Sequence, residues 1–288
     1  MRFDLLDTLS LRGSPERPNE DACGAAGAFA WVIDGAILPG TEPIMGAASD
    51  AVWLVQYANA RLCALAPQAS DAASLVLTVI EEARALFLAR VEEAGRPERL
   101  ERHTWPAAAL TIAQAKPGRL EVLTLADTIA YVRDEAGGVY TLGEAPELRR
   151  AESALAARLM RETGTDVESM RKTEAYRADA ERRRRAKVES EPAIFGLHPD
   201  AVALAERGAL DLDGETHVLL ASDGFSALVE LYRDRDAPEL METAIGEGLA
   251  PLAARLRTIE TEIDPTGARY PRFKRSDDAT AILVRATL

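Results

Sequence analysis

The alternation of apolar and polar residues predicts strands first and helices after them. Short apolar runs at Phe3–Leu9 and Phe29–Ile33 are typical of strands, and the second run stops abruptly at Asp34-Gly35. Ser49–Leu65 and Asp71–Ala94 have helical apolar spacing and begin with residues that cap helices. Four more strands are then predicted: Ala107–Ala113, Leu120–Leu125, Ile129–Arg133 and Val139–Leu142.

The second half of the chain begins with a charged stretch, 146–191, whose composition predicts helices. It contains the run ERRRRAK at 181–187, which is either a basic contact patch or a solvated helical face. The acidic residues close to this run favour the solvated face. Asp213-Gly214 between two strand-like runs predicts a β-hairpin. The remaining predicted elements are strands at Ala209–Leu212, Thr216–Ala221 and Ala279–Ala286, and helices starting at Asp236 and at Leu252.

The order of these elements indicates the fold class. Strands follow strands and helices occur in pairs, so the pattern is not a series of βαβ units. It predicts antiparallel sheets with the helices packed outside them, which is an α+β arrangement. The 288 residues would suffice for one large domain or two small ones.

Composition excludes several functions. The net charge of −13 argues against binding to nucleic acid or to anionic lipid. No apolar run is long enough to cross a bilayer, and the start of the sequence lacks the order of a signal peptide, so we expect a cytoplasmic protein. The two cysteines and three scattered histidines give neither a disulfide framework nor a zinc pattern. These residues are Cys23, Cys63, His103, His198 and His217.

Acidic residues recur where predicted strands begin or end. Asp34 follows FAWVI, Asp127 follows LEVLTLA, Asp223 follows HVLLAS, and Asp277-Asp278 precede ATAILV. Any one Asp-Gly pair could be a simple turn. Several carboxylates on one rim would repel each other, and a hard divalent cation with oxygen ligands removes that repulsion. The pattern therefore favours a Mg²⁺ or Mn²⁺ site.

Five segments in order resemble the motifs of the metal-dependent protein phosphatases, the type 2C serine/threonine phosphatases. They are RPNEDA, VIDGA, LADTIAYV, LLASDGF and SDDATAILV. They are similar to the family's Arg-containing NED segment, DGxGG turn, GDSRAY strand, CSDGL strand end and DNATVVLV terminus. The order and approximate spacing match from about residue 12 to the end of the sequence. The chain resembles a divergent, bacterial-like member.

This resemblance implies a four-layer α/β/β/α sandwich of two antiparallel sheets flanked by helix pairs. It implies a single domain over residues 1–288, with 146–191 as a charged helical insert or flap. The implied activity is hydrolysis of phosphoserine and phosphothreonine in proteins by a hydroxide that bridges two divalent metals. A phosphorylated protein would then be the partner, with no nucleic acid and no membrane.

The resemblance also implies a set of site residues. Asp34 would bridge two Mg²⁺ or Mn²⁺ ions, and the Gly35 carbonyl would bind one of them. Asp223 and Asp277 would bind the other ion, and Asp127 would support a third, weaker one. Glu20 and Asp21 would hold metal-bound waters or ligate more directly.

The sequence departs from the family pattern at the phosphate-binding and proton-donating positions. Glu16 stands where the family has an arginine, so Arg17 is the predicted phosphate-binding residue. Arg12 and the tract Arg272–Arg275 are alternatives. Ala36 stands where some members of the family have a histidine suited to act as general acid, so the proton donor is left open.

Two other functions therefore stay open. The chain could be a catalytically weak member that acts as a regulatory binding module. It could also be a phosphatase for a small phosphorylated molecule. The insert discriminates between substrates: a flap beside the cleft favours proteins, and a lid over a closed pocket favours a small molecule.

Overall fold

A computed structural model describes residues 1–143, 146–189, 193–212 and 214–287. The strands are β1 Arg2–Leu11, β2 Asp21–Ala26, β3 Phe29–Ala36, β4 Ala107–Lys116, β5 Arg119–Leu125, β6 Ile129–Arg133, β7 Val139–Leu142, β8 Glu206–Asp211, β9 Thr216–Ala221 and β10 Ala279–Thr287. The helices are α1 Asp50–Leu65, α2 Ala72–Ala94, α3 Pro146–Thr163, α4 Val167–Met170, α5 Glu174–Glu189, α6 Asp223–Glu230, α7 Ala237–Glu247 and α8 Ala250–Thr258. None of the helices in these ranges is long and apolar enough to cross a membrane.

The strands form two five-stranded sheets. One has the order β1-β10-β9-β6-β7 and the other β2-β3-β4-β5-β8, and every neighbouring pair is antiparallel. One apolar core lies between α1, α2 and the second sheet, and another lies between α6–α8 and the first sheet. A third core separates the two sheets. The predicted α+β fold, a four-layer α/β/β/α sandwich, is confirmed.

Strand β3 shows how the alternation of side chains positions the site. Phe29, Trp31 and Ile33 belong to the core beneath α1 and α2, because residues at every second position share one face of a strand. Ala30 and Val32 belong to the core between the sheets. Asp34 is the next residue in that second series, so β3 delivers its carboxylate to the rim of the space between the sheets.

Helix boundaries follow the predicted caps. Ser49 accepts a hydrogen bond from the Val52 N–H at 3.1 Å, and Asp71 accepts one from the Ser74 N–H at 2.8 Å. Gly95 ends α2 in the left-handed conformation, with φ 63°. Asp236 and Glu239 form a reciprocal capping box at the start of α7. The predicted helix caps are therefore confirmed. Each depends only on residues a few positions apart, which is why the sequence alone could identify them.

Three features differ from the prediction. The sequence DACGAA of β2 was not predicted as a strand, because alanine and glycine have low strand propensity. Asp223 lies in the first turn of a helix that was not predicted, α6. The predicted hairpin that would pair Ala209–Leu212 with Thr216–Ala221 is wrong. Strand β8 pairs with β5, while β9 pairs with β6 and β10. The connection crosses between the sheets, and Asp213 itself lies outside the described residues.

Candidate functional site

Two of the predicted acids face each other on neighbouring strands. Asp21 of β2 lies directly opposite Asp34 of β3 in the antiparallel register. Opposite residues in such a pair project from the same face of the sheet. Asp21 is 8% exposed and Asp34 is partly buried. The second sheet therefore brings two carboxylates to the rim of the space between the sheets.

The other sheet brings Asp223 and Asp277 to the same rim. Ser222, at the end of β9, donates its N–H to the Thr280 carbonyl at 2.9 Å, and its hydroxyl oxygen accepts the Thr280 N–H at 2.9 Å. This double link fixes the end of β9 against the start of β10. A side chain at Gly224 would place its Cβ 1.9 Å from the Asp278 carbonyl oxygen, so glycine is required for this close approach.

The acids affect each other's ionisation. Burial raises the pKa of Asp21 well above its ordinary value, and repulsion from Asp278 and Asp277 adds to the shift. Burial also raises the pKa of Asp34, with repulsion from Asp21 and Asp223 as the next causes. Neither carboxylate oxygen of Asp21 makes a hydrogen bond of normal geometry, and both are buried. Uncompensated buried carboxylates of this kind suit a divalent cation, which would stabilise their charged forms.

Two cationic side chains already contact this cluster. Arg149 of α3 places Nη1 3.3 Å from the Asp223 carboxylate, and its Nη2 donates to the Asp223 carbonyl at 2.8 Å. Lys274 donates to the Asp277 carboxylate. Burial opposes the charged form of Asp223, but Arg149, a hydrogen bond with Asp34 and the charge of Lys274 together outweigh this effect and lower the pKa. Within the described part of the chain, no three His, Cys, Asp or Glu side chains form a complete metal-holding group.

Glu20 and Gly35 lie at the same rim. The Gly35 N–H donates to the Glu20 carbonyl at 2.9 Å, and a Cβ on Gly35 would be 2.5 Å from that oxygen. The Glu20 carboxylate accepts a hydrogen bond from the Ser49 hydroxyl at 2.6 Å. Asp278 accepts the Gly13 N–H at 2.7 Å and the Glu20 N–H at 2.9 Å. Asp278 thus anchors the N-terminal loop, a role that the doubled acid in SDDATAILV did not reveal.

Asp127 lies partly buried after β5, and its charge contributes to the raised pKa of Asp34. The residue before it, Ala126, has a φ of 72°, a left-handed conformation that favours glycine. Ala126 stands where the resembled motif has glycine, so the turn that presents Asp127 is kept at a conformational cost. This cost is of order 1 kcal/mol or more.

The predicted phosphate-binding residue, Arg17, is exposed. Its backbone N–H donates to the Ser14 carbonyl at 3.4 Å, and its side chain does not line the cavity described below. Arg12 is also exposed. In the alternative tract, Arg272 pairs with Asp264 at 2.8 Å and Arg275 pairs with Glu168 at 2.5 Å. The structure therefore does not bring Arg17 together with the acids.

A cavity of about 320 Å³ opens over the acids. Its floor includes Gly35, Asp223 and Asp277, and α3, α5 and Arg171, which follows α4, supply much of its wall. Sequence reasoning missed the wall residues because the acids that neighbour them in sequence suggested an exposed helical face. These residues are Arg149, Glu152, Arg171, Tyr176, Arg183 and Arg184. Burial, followed by repulsion from Asp223 and Asp127, raises the pKa of Glu152 to about 7.

No protein-family model matches the sequence, and no curated protein sequence matches it. Solved structures do match. The serine/threonine phosphatase PstP/Ppp of Mycobacterium tuberculosis aligns over 100% of both chains, with 17% identity and a TM-score of 0.56. The PstP catalytic domain in complex with two manganese ions aligns over 99% of this chain and 96% of that chain, with 17% identity and a TM-score of 0.52.

A third structure, the serine/threonine phosphatase Stp1 of Staphylococcus aureus, aligns over 98% of this chain and 94% of that chain. Its identity is 12% and its TM-score is 0.52. At these identities the likeness establishes the fold. The predicted resemblance is thus confirmed at the level of the fold, which is that of bacterial serine/threonine phosphatases.

Proposed function

We propose that this chain is a Mg²⁺- or Mn²⁺-dependent phosphatase that hydrolyses phosphoserine and phosphothreonine in proteins. The observation that carries the proposal is Asp21, whose two carboxylate oxygens are buried without hydrogen-bond partners among further acids from both sheets. A fold shared with serine/threonine phosphatases, one of them solved with two manganese ions, supports it. The proposal includes a phosphorylated protein as partner and a cytoplasmic location.

The proposed roles follow the placement of the acids. Asp34 would contact both ions, and the Gly35 carbonyl would contact one of them. Asp223 and Asp277 would hold the other ion, while Asp127 would hold a third, weaker one. Glu20 and Asp21 would orient water ligands or bind directly. We also propose that residues 1–288 form one domain in which α3–α5, Pro146–Glu189, are an insert.

Two divalent cations at this rim would supply hydroxide near neutral pH and would neutralise charge on the phosphoryl oxygens. The chain's own residues position the reactants. Asp34 and Asp223, fixed by the ends of β3 and β9, would hold the cations at the floor of the cavity. Lys274 and Arg149 offset part of the negative charge of the acids. The cavity wall limits the access of water to the bound phosphoester.

The test is hydrolysis of a simple aryl phosphate with and without Mn²⁺, for the wild type and for Asp34→Asn. We expect Mn²⁺-dependent turnover that falls by about 100-fold in Asp34→Asn, because the loss even of a residue that only supports metal ligands costs about 10- to 100-fold. Asp211→Asn on β8 is the matched control, since its side chain is 80% exposed. A folded wild type that binds Mn²⁺ without turnover would contradict the proposal and favour the regulatory binding module.

A second candidate substrate is a small phosphorylated molecule. The position of the insert supports it, because residues of α3 and α5 line the cavity. Values of kcat/KM for phosphoserine and phosphothreonine peptides, compared with those for small phosphate monoesters, separate the two. A clear preference for the peptides supports the protein phosphatase, and a preference for the small esters supports the second candidate.

A further inference from the structure

The basic run on α5 contains one arginine that differs from its neighbours. Arg182 and Arg183 both pair with Asp179, and Arg185 pairs with Glu181 at 3.0 Å. Such pairs between residues three or four apart are typical of an exposed helix. Arg184 makes no ion pair among the described residues.

Arg184 is instead a largely buried cation. Its Nη2 donates to the Trp105 carbonyl at 2.7 Å, while its Nε is buried and has no hydrogen-bond partner. Burial lowers the pKa of the Arg184 guanidinium. A buried guanidinium without a counterion is costly unless an anion reaches it.

The position of Arg184 connects this cation with the acids. Its side chain lines the same cavity as Gly35 and Asp223. Trp105, which Arg184 contacts, lies just before β4, and Ala107 of β4 pairs with Ala36 of β3. Arg184 therefore contacts the chain at Trp105, two residues before the partner of Ala36. Ala36 is the last residue of the strand that carries Asp34.

A second cation of the insert lines the cavity near Lys274. The Arg171 guanidinium lies over the Tyr176 ring, 5.9 Å from its centroid, and it has no ion pair within the described ranges. Acids thus form the floor of the cavity, and two arginines without acidic partners belong to the insert that forms its wall. An anion between them would interact favourably with the insert and with cations on the floor.

We propose that Arg184, assisted by Arg171, binds the phosphoryl group of the substrate. The insert would then supply the phosphate recognition that the sequence predicted for Arg17. A guanidinium suits this role, because its planar array of donors matches phosphate oxygens and makes strong charge-assisted hydrogen bonds. This inference rests on the proposed phosphatase function. It assigns the substrate a phosphate monoester group that enters beneath α5.

The test is calorimetric titration of inorganic phosphate into the Mn²⁺-loaded protein. We expect Arg184→Gln to weaken phosphate binding at least about tenfold, as expected for a lost hydrogen bond between charged groups. Arg171→Gln should weaken it less, by about threefold. Arg182→Gln is the matched control: it removes the same charge from the same helix, and its side chain is 67% exposed. The phosphate affinity of Arg182→Gln should stay within about twofold of the wild type, because solvent screens exposed charges.

Arg184→Gln also removes the hydrogen bond to Trp105, so the docking of α5 is checked in parallel. Arg184→Lys keeps a donor for the carbonyl and should recover part of the phosphate affinity. Manganese affinity and protease sensitivity should match the wild type in both variants. Equal phosphate affinities for Arg184→Gln and Arg182→Gln would overturn the inference, as would an equal loss of manganese affinity in Arg184→Gln.

The readout is independent of turnover. Failure of the proposed function appears as absent hydrolysis of the aryl phosphate by the wild type. Failure of this inference appears as phosphate binding that does not depend on Arg184, or as no phosphate binding by the wild type. If Arg17→Ala lowers phosphate affinity and Arg184→Gln does not, the phosphate site belongs to the N-terminal loop.

Discussion

Two buried aspartates, Asp50 and Asp21, differ in whether the protein supplies partners for their carboxylates. Asp50 is 0% exposed and accepts the Ile44 N–H at 2.9 Å and the Met45 N–H at 3.0 Å. It also pairs with Arg99 at 2.8 Å. Asp21 is 8% exposed, and neither of its oxygens makes a normal hydrogen bond.

The surroundings explain the difference. Asp50 lies in the first turn of α1, where free backbone N–H groups favour a negative charge. Arg99 also donates to the carbonyls of Glu42 and Thr104, so this ion pair joins three segments of the chain. Asp21 faces Asp277 and other acids instead. The charge of Asp50 is thus compensated within the fold, whereas the uncompensated Asp21 fits the proposed cation site.

The largest expected effect on stability is that of Asp50→Ala. Removing one partner of a buried ion pair leaves the other charge uncompensated, which costs about 3–5 kcal/mol. In a protein of this size that lowers Tm by on the order of 10 °C, measured by calorimetry. Glu82→Ala is the control, because the Arg61–Glu82 pair is about one-third exposed and should contribute less than about 1 kcal/mol. Equal decreases in Tm would refute the distinction drawn for Asp50.

The opposite result is expected for Asp21→Asn. The substitution removes a charge that has no partner and is repelled by its neighbours, so Tm without added metal should stay the same or rise slightly. Manganese affinity should fall by about tenfold or more. Thermal scans with and without Mn²⁺ measure both, since a bound ion raises Tm according to its affinity. A decrease in Tm like that of Asp50→Ala would show that Asp21 is a structural residue.

Sequence reasoning found the acids because their positions depend on strand periodicity. Asp34 continues the alternating series of Ala30 and Val32, and an apolar strand ending in an acid is visible without a structure. The same reasoning found Asp223 and Asp277 beside apolar strands. The two sheets were also predictable, because the order of strands and helix pairs indicates antiparallel layers.

The cations could not be predicted in the same way. Arg149 contacts Asp223 across 74 positions of sequence, and Arg184 differs from Arg182 only in the direction of its side chain from the same helix. Local spacing carries neither piece of information. The hairpin prediction at Asp213-Gly214 is wrong for the same reason. An Asp-Gly pair indicates a turn, but it does not identify the sheet that each flanking strand joins.

A smaller effect concerns the cations that offset these acids. Arg149→Gln removes a positive charge close to Asp223, so a metal ion no longer competes with it. We expect manganese to bind on the order of fivefold more tightly, equivalent to about 1 kcal/mol, the upper range for a partly exposed pair. Arg150→Gln is the control, because Arg150 is the exposed neighbour on the same helix. Weaker or unchanged manganese binding in Arg149→Gln would show that Arg149 and the metal ion do not compete for the Asp223 carboxylate.

The smallest expected effect lies outside the acids, at His198, which stacks on Trp105 with ring centroids 4.9 Å apart. Burial, followed by the charges of Arg102, Arg84 and Arg184, lowers the pKa of His198 to about 4, while Asp200 opposes them. The unfolded chain would bind this proton near pH 6.5. Its contribution to stability is therefore complete above about pH 6.5 and decreases as the pH falls towards 4.

His198→Phe isolates this contribution, because phenylalanine keeps an aromatic ring against Trp105 and cannot be protonated. We expect the wild type to lose more stability than the variant between pH 6.5 and pH 4, as measured by Tm over that range. The difference should be modest, since His198 is only half-buried and solvent screens its neighbours. Parallel Tm profiles would show that His198 titrates normally. Such a result would mean that neither burial nor the nearby Arg102, Arg84 and Arg184 shifts the pKa of His198 in the folded protein.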